Sequence, residues 1–468
     1  MTDTPLDAAQ IVHRIAAGAA SPVAVIEEAL TRIRSRNAEL NAFSVVLDNE
    51  AREQARLLEL GPGEARGPLF GVPVAIKEEL DVAGCVTTFG GHGNSAPATA
   101  DGEVVRRLRE AGAVIVGKTQ MSEFGAWPYT ESVAYGYTRN PWRTGFTPGG
   151  SSGGTAAAVS SGMVPIGMGG DGGGSIRIPA AFCGLFGLKP QRGRVTTSPM
   201  EHLWWSLGTV GPLTRTVLDS AIVYDVIRGN VPTDRWRAGE VGSFVDAARR
   251  EPGRLRIGWT VKPVTRGVTP HAEHVAAVRD TAALLADLGH DVREVDPRYP
   301  DPTTAFVPQF FAGIRTEADA VEHYDRLERR TRETYRLGSW VTPKVIERAL
   351  RQTEKISAKA NRVFDPSTRS GQREVEVLLT PSTANRPPRV GVLNGTGSVR
   401  ASLKALPAIA YVALWNLAGN PACNVPSGTG ADGMPLGVQL VGRTDGEELL
   451  LSLAAQLEAA RPWPLVAP

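Results

Sequence analysis

The chain has 468 residues, of which 42% are hydrophobic and 21% charged, and its formal net charge is +2. That is core material enough for one large α/β domain or two to three ordinary ones, and the weak charge argues against a nucleic-acid or acidic-membrane partner. Three cysteines (Cys85, Cys183, Cys423), odd in number and far apart, argue against a disulfide framework and for a cytoplasmic location.

The N-terminus carries acids early and no long apolar stretch, so no signal peptide is expected. Residues 1–60 read as a helical arm. Ser21-Pro22 supplies an N-cap and a first-turn proline, and Ile26, Leu30 and Ile33 form one apolar face. Such an arm packs on the body or contributes to a homodimer contact. Residues 61–468 read as a single domain: a motif-bearing core at about 70–230, a less informative middle at about 231–400 and a closing part at 401–468.

From Gly71 the pattern becomes β then α. In GVPVAIKEELDVAG, Val72, Val74 and Ile76 alternate along a strand that delivers Lys77 at its end. Asp101 is placed to cap a helix running through Glu110 to Gly112, and Ala113–Val116 follows as a buried strand. Helices alternating with buried strands predict an α/β fold, a central mixed sheet covered by helices on both faces.

Residues 148–195 carry the chemistry. Two glycine clusters present serines, Ser151 and Ser152 in GGSSGG and Ser175 after Gly172, Gly173 and Gly174. Glycines let several backbone N–H groups converge on one point, so Ser175 reads as a nucleophile beside an oxyanion hole. No histidine lies in the stretch. Lys77, following a buried strand, is desolvated, which favours the neutral form that a general base needs. The working hypothesis is a Ser–Ser–Lys relay.

Two other motifs fit less well. Gly167–Gly172 satisfies the dinucleotide pattern G-x-G-x-x-G, but Pro179 interrupts the helix and no acid lies in 188–200. Gly150–Gly154 satisfies G-x-S-x-G, but Pro141 and Pro148 exclude the strand that a nucleophile elbow requires. A plain glycine linker would lack the interleaved Ile176, Ile178, Phe182, Leu185 and Phe186. Cys183, within that apolar run, reads as a core residue.

Farther on, Thr214 or Thr216 caps a helix over 217–227, and 255–260 reads as a strand followed by a helix and a further strand. His271 and His274 read as exposed helix-start residues, and no metal site is expected. Phe306, Phe310, Phe311, Tyr324 and Tyr335 either line a pocket for bulky apolar groups or pack as ordinary core aromatics. The longest apolar run, 405–415, is too short to cross a bilayer, so no membrane partner is expected. WNLAGNPACNVPSG and GMPLGVQLVGR read as strands and a tight turn that complete the sheet.

GGSSGG, then GGSIRIPAAFCGLFGLKP with 24 residues from Ser151 to Ser175, and IKE on an earlier strand together resemble the amidase signature family. The resemblance implies Lys77 as general base, Ser151 as a bridging serine held by a cis peptide, and Ser175 as the acyl-forming nucleophile. It implies an oxyanion hole at Gly172, Gly173, Gly174 and Ser175, with Ser152, Asp171 and Arg177 in support. GKTQMSEFGAWPYTESVAYGYTRNPW also resembles a family segment, so Met121 and Trp127 join Phe306 and Phe310 as substrate-binding candidates. The implied reaction is hydrolysis of a small-molecule amide without a cofactor.

The alternative is the glutaminase subunit of the transfer-RNA-dependent amidotransferase. That subunit reads MDEFAMGS where this chain has Met121–Trp127, which favours a free-standing enzyme. Glu78 replaces the family's Asp, predicting a retuned base. Gly170 replaces a Thr, removing a hydroxyl, and Gly172 replaces a larger residue, predicting a roomier oxyanion loop.

Overall fold

The computed structural model describes residues 5–61, 66–365 and 375–468. The first half carries β1 (Phe43–Val46), β2 (Pro73–Lys77), β3 (Val114–Thr119), a small pair β4 (Glu131–Ser132) and β5 (Gly136–Tyr137), β6 (Ile166–Gly170), β7 (Phe186–Lys189) and β8 (Val210–Thr214). The second half adds β9 (Arg256–Trp259), β10 (Asp291–Glu294), β11 (Val377–Pro381), β12 (Ala422–Thr429) and β13 (Pro435–Val441). All but β4 and β5 form one 11-stranded sheet in the order β1-β3-β2-β6-β8-β7-β12-β13-β11-β9-β10.

The sheet is mixed. β2 runs parallel to β3 and β6, and β9 runs parallel to β10 and β11. Between these groups β8, β7, β12 and β13 pair antiparallel. Along β2, Val74 and Ile76 enter a core with Val105, Val217 and Leu450, whereas Ala75 enters another with Ile26, Leu30 and Ala157. That two-residue period, with helix residues in both cores, puts helices on both faces as predicted.

The arm departs from the all-helical expectation. Ser21 does cap the helix Pro22–Leu40, its Oγ accepting from the Ala24 N–H at 3.2 Å. After Asn41 turns left-handed (φ 50°), however, Phe43–Val46 pairs antiparallel with β3 as the sheet's first edge. Asp101 is not a cap. The helix Glu103–Glu110 starts after Gly102, while the Asp101 carboxylate takes the Ala83 N–H and Arg109 Nε, each at 2.8 Å.

Thr216, not Thr214, caps Val217–Ile227. His271 is exposed, but His274 is buried with Nε2 3.2 Å from the Asn385 carbonyl; burial, helped by Arg386, lowers its pKa to about 4. The middle segment supplies β9, β10 and β11 at the far edge, so the closing strands β12 and β13 sit inside the sheet. The apolar run 405–415 is divided between the helices Ser398–Ile409 and Ala413–Ala418. Among the described residues no helix is long and apolar enough to cross a membrane.

Candidate active site

Parallel neighbours β2 and β6 end on the same side of the sheet, and their ends deliver Lys77 and the loop beginning at Asp171. Sites in α/β proteins gather at such carboxyl ends because the loops there project from a rigid frame. A second loop, Pro148–Ser152, runs into the helix Gly153–Ser160, whose packing against β6 brings Ser151 to Lys77.

Lys77 is 1% exposed, and its Nζ donates to Ser151 Oγ at 2.9 Å. The Gly150–Ser151 peptide is cis. The backbone N–H of Ser151 donates to Ser175 Oγ at 2.8 Å, so Ser151 touches the lysine with its hydroxyl and the other serine with its main chain. Ser151 is 2% exposed and Ser175 8%.

Lys77 has a second partner that the motif reading passed over. Glu79 Oε2 lies 3.0 Å from Nζ, and Glu79 is itself 6% exposed. Glu78, expected to retune the base, faces away. It pairs with Lys118 at 3.4 Å and accepts hydrogen bonds from Ser44 Oγ and from the Thr88 N–H (3.2 Å).

The Asp171–Arg177 pair is fully buried. Arg177 Nη2 and Nε lie 3.0 Å from Asp171 Oδ1 and Oδ2 respectively, and Asn416 Nδ2 donates to the Asp171 carbonyl at 2.7 Å and to Oδ1 at 2.8 Å. Burial alone would raise the Asp171 carboxyl, but the Arg177 charge and these hydrogen bonds hold it far below the usual carboxylate range. Asp171 Oδ1 also accepts the Gly174 N–H at 2.7 Å. This bears on one expectation: the Gly174 N–H is taken, so of the four expected oxyanion donors those of Gly172, Gly173 and Ser175 remain as candidates. A Cβ on Gly174 (φ +121°) would meet Val412 Cγ2 at 2.5 Å.

Nor is the loop roomier for its glycines. A Cβ on Gly172 would stand 2.7 Å from Trp204 Cε3, and one on Gly170 would stand 2.0 Å from Glu79 Oε1. The volume given up by the two replaced side chains is filled by an indole and a carboxylate. Ser152 is buried and donates to the Gly170 carbonyl at 3.2 Å, tying the two serine loops together.

The substrate-binding candidates gather around these loops. Met121 Cε and Ser151 Oγ both abut Gly125, at 3.5 Å and 3.0 Å from a Cβ placed there. Phe306 Cζ lies 3.3 Å from the corresponding point on Gly173. Phe310 meets Trp204 and Trp127 edge-on, with centroids at 5.4 Å and 6.4 Å. The Trp127 indole N–H is buried with no hydrogen-bond partner.

Several contributors escaped the sequence reading. Thr130 Oγ1 donates to the Gly149 carbonyl and accepts the Gly153 N–H, both at 2.9 Å, clamping the first serine loop. Thr130 and Asn416 lie in stretches that the sequence reading quoted, but nothing local marks their roles, since each acts across a long sequence separation. Glu79 lies beyond the end of β2, in the turn after Lys77, so strand alternation does not place it either. Among the described residues, no group of three or more His, Cys, Asp or Glu could hold a metal ion.

Comparison with known proteins gives a consistent picture. The profile of the family described as Amidase matches residues 24–451. A Mycobacterium tuberculosis (strain ATCC 25618 / H37Rv) protein named "Putative amidase AmiB2" is 46% identical over 461 residues, covering 97% of this chain and 96% of its own. A solved 6-aminohexanoate cyclic dimer hydrolase superposes with a TM-score of 0.91 at 30% identity, covering 99% of this chain and 98% of that one. A bacterial aryl acylamidase described as belonging to the amidase signature enzymes gives 0.87 at 27% identity, with the same coverage.

Proposed function

The chain belongs to the amidase signature family, and on that premise we propose that it is a free-standing amidohydrolase cleaving the C–N bond of a small-molecule carboxylic amide through an acyl-enzyme on Ser175. The observation that carries this reading is the buried chain of contacts Lys77 Nζ–Ser151 Oγ (2.9 Å) and Ser151 N–Ser175 Oγ (2.8 Å). It joins an amine to a primary alcohol at the rim of a glycine loop.

In the forward step neutral Lys77 takes the Ser151 hydroxyl proton as Ser151 takes that of Ser175. The Ser175 oxygen attacks the amide carbon, and the N–H groups of Gly172, Gly173 and Ser175 receive the oxyanion. The proton returns through Ser151 to the departing nitrogen, which leaves as ammonia or an amine. Water then enters by the same relay and frees the acid. Asp171 and Arg177 hold the loop in shape and take no proton. The Met121–Trp127 segment, unlike that of the amidotransferase subunit, supports activity without partner chains.

The test is a fluorophosphonate probe followed by mass mapping. Label on Ser175, absent from Ser175→Ala, together with a fall in kcat on the order of 10⁴-fold or more, is expected. Label on Ser152, or amide turnover by Ser175→Ala at the wild-type rate, would overturn the assignment.

A further inference from the structure

The site holds more acid than its one lysine balances. Glu317, on the helix Thr303–Ala320, accepts from Trp204 Nε1 at 3.0 Å, and the Trp204 ring packs against Gly172 of the nucleophile loop. Glu317 stands within electrostatic reach of both Glu79 and Lys77. Each carboxyl group uses one oxygen, Glu79 Oε2 on Lys77 and Glu317 Oε1 on Trp204. The other oxygen of each, Glu79 Oε1 and Glu317 Oε2, is buried with no hydrogen-bond partner. Burial first, and then the Glu79 charge, push the Glu317 carboxyl well above the usual range, and Lys77 offsets only part of that.

Unpartnered buried acceptors are costly, by about 1–3 kcal/mol each and more when charged. A carboxyl serving only to accept the Trp204 N–H would need one oxygen and no charge, a role that an amide fills. Aromatic faces stand beside it, because Phe306 reaches Gly173 and Phe310 meets Trp204. Carboxyl oxygens without donors, two acids beside one amine and aromatic walls together describe a receptor for a cation.

We propose that Glu317 and Glu79 recognise an alkylammonium group carried by the amide substrate. This rests on the amidase reading and adds a substrate class to it. The ammonium donates to Glu79 Oε1 and Glu317 Oε2, the two oxygens that lack a donor. Glu317 releases to solvent the proton it holds in the empty site, its O–H bond giving way to an N–H···O hydrogen bond.

The experiment compares 5-aminopentanamide with hexanamide, which match in length and differ in an ammonium for a methyl group. Wild-type enzyme is expected to favour the cationic amide by about 10- to 100-fold in kcat/KM, the worth of a charge-assisted hydrogen bond. In Glu317→Gln, which keeps an acceptor for Trp204, the ratio is expected to fall to about one. Equal rates in the wild type, or a preference that survives Glu317→Gln, would overturn the proposal.

A second measurement does not depend on chain length being right. Pentylammonium chloride is expected to slow fluorophosphonate labelling of Ser175 at concentrations where 1-pentanol does not. Protection by the alcohol alone, or equal protection by both, counts against the proposal. Intact labelling without a preference for the cation sinks this inference only, whereas no labelling of Ser175 at all sinks the amidase reading and this inference with it.

Discussion

Lys77 ends β2 and Glu79 follows two residues later in the turn, and their buried side chains meet at 3.0 Å. The turn after the strand, closed by the Leu80 N–H donating to the Lys77 carbonyl at 3.0 Å, folds Glu79 back toward the lysine amine. Glu78, between them, turns away and pairs with Lys118 at 3.4 Å. Three consecutive positions, Lys77 to Glu79, therefore serve two separate buried pairs where the strand gives way to the turn.

Because only one of those pairs touches Ser151, the two neighbouring acids separate by function. Glu78→Asp shortens the arm toward Lys118 and Ser44 and is expected to lower the unfolding midpoint while kcat stays within a few-fold of wild type. Denaturant titration and steady-state kinetics on one preparation check both halves.

Lys77→Met and Ser151→Ala each remove a link between base and nucleophile. A positioned general base is worth about 10²–10⁴-fold, so kcat is expected to fall by that factor in each, with KM moving far less. The double variant is expected to lose little beyond either single one, because the residues act as a unit.

At Gly172 the obstacle is a rigid indole, 2.7 Å from the added Cβ, and at Gly170 it is the end of a flexible side chain. Gly172→Ala is thus expected to cost about 1–3 kcal/mol of stability as well as activity. Pairing it with Trp204→Ala should restore part of the rate. Gly170→Ala is expected to push the Glu79 carboxylate off Lys77, altering the pH–rate profile more than the melting temperature.

Arg177→Met leaves the Asp171 charge buried without its cation, and a broken buried pair costs about 3–5 kcal/mol. The pH dependence has a definite sign. The Asp171 carboxyl lies below its unfolded value, so the stability it contributes is complete above pH about 4 and is lost as the pH falls through the acid range. Urea midpoints between pH 2 and 6 should show that acid-side loss in wild type, and less of it in Arg177→Met.

Glu123 titrates in the opposite sense. Burial, then the Glu328 charge, raise its carboxyl from 4.5 to about 7, while its oxygens accept the Glu328 N–H at 3.0 and 3.3 Å. The folded chain keeps this proton after the unfolded chain has lost it. Stability from the group is complete below pH about 4.5 and declines as the pH rises to about 7, by up to about 3 kcal/mol. Asp219 and Glu458 are raised to about 7 in the same way. Glu123→Gln should remove one part of the decline, read from urea midpoints at pH 5 and pH 8.

Sequence alone sufficed where chemistry is written in consecutive residues. Alternating Val72, Val74 and Ile76 announced the β2 region, glycine runs announced the two serine loops, and their spacing matched a known family, because strand period and backbone freedom are local properties. What lay beyond it depended on side chains meeting across long separations. Whether Gly172 left a gap or received Trp204, whether the Gly174 N–H stayed available or went to Asp171, and whether Glu317 came near Lys77 were decided by packing. The same holds for β1 at the sheet edge and for His274 beneath its helix. Each turns on which distant surface fills a given volume, a choice that burial makes for the whole chain at once and that no single segment records.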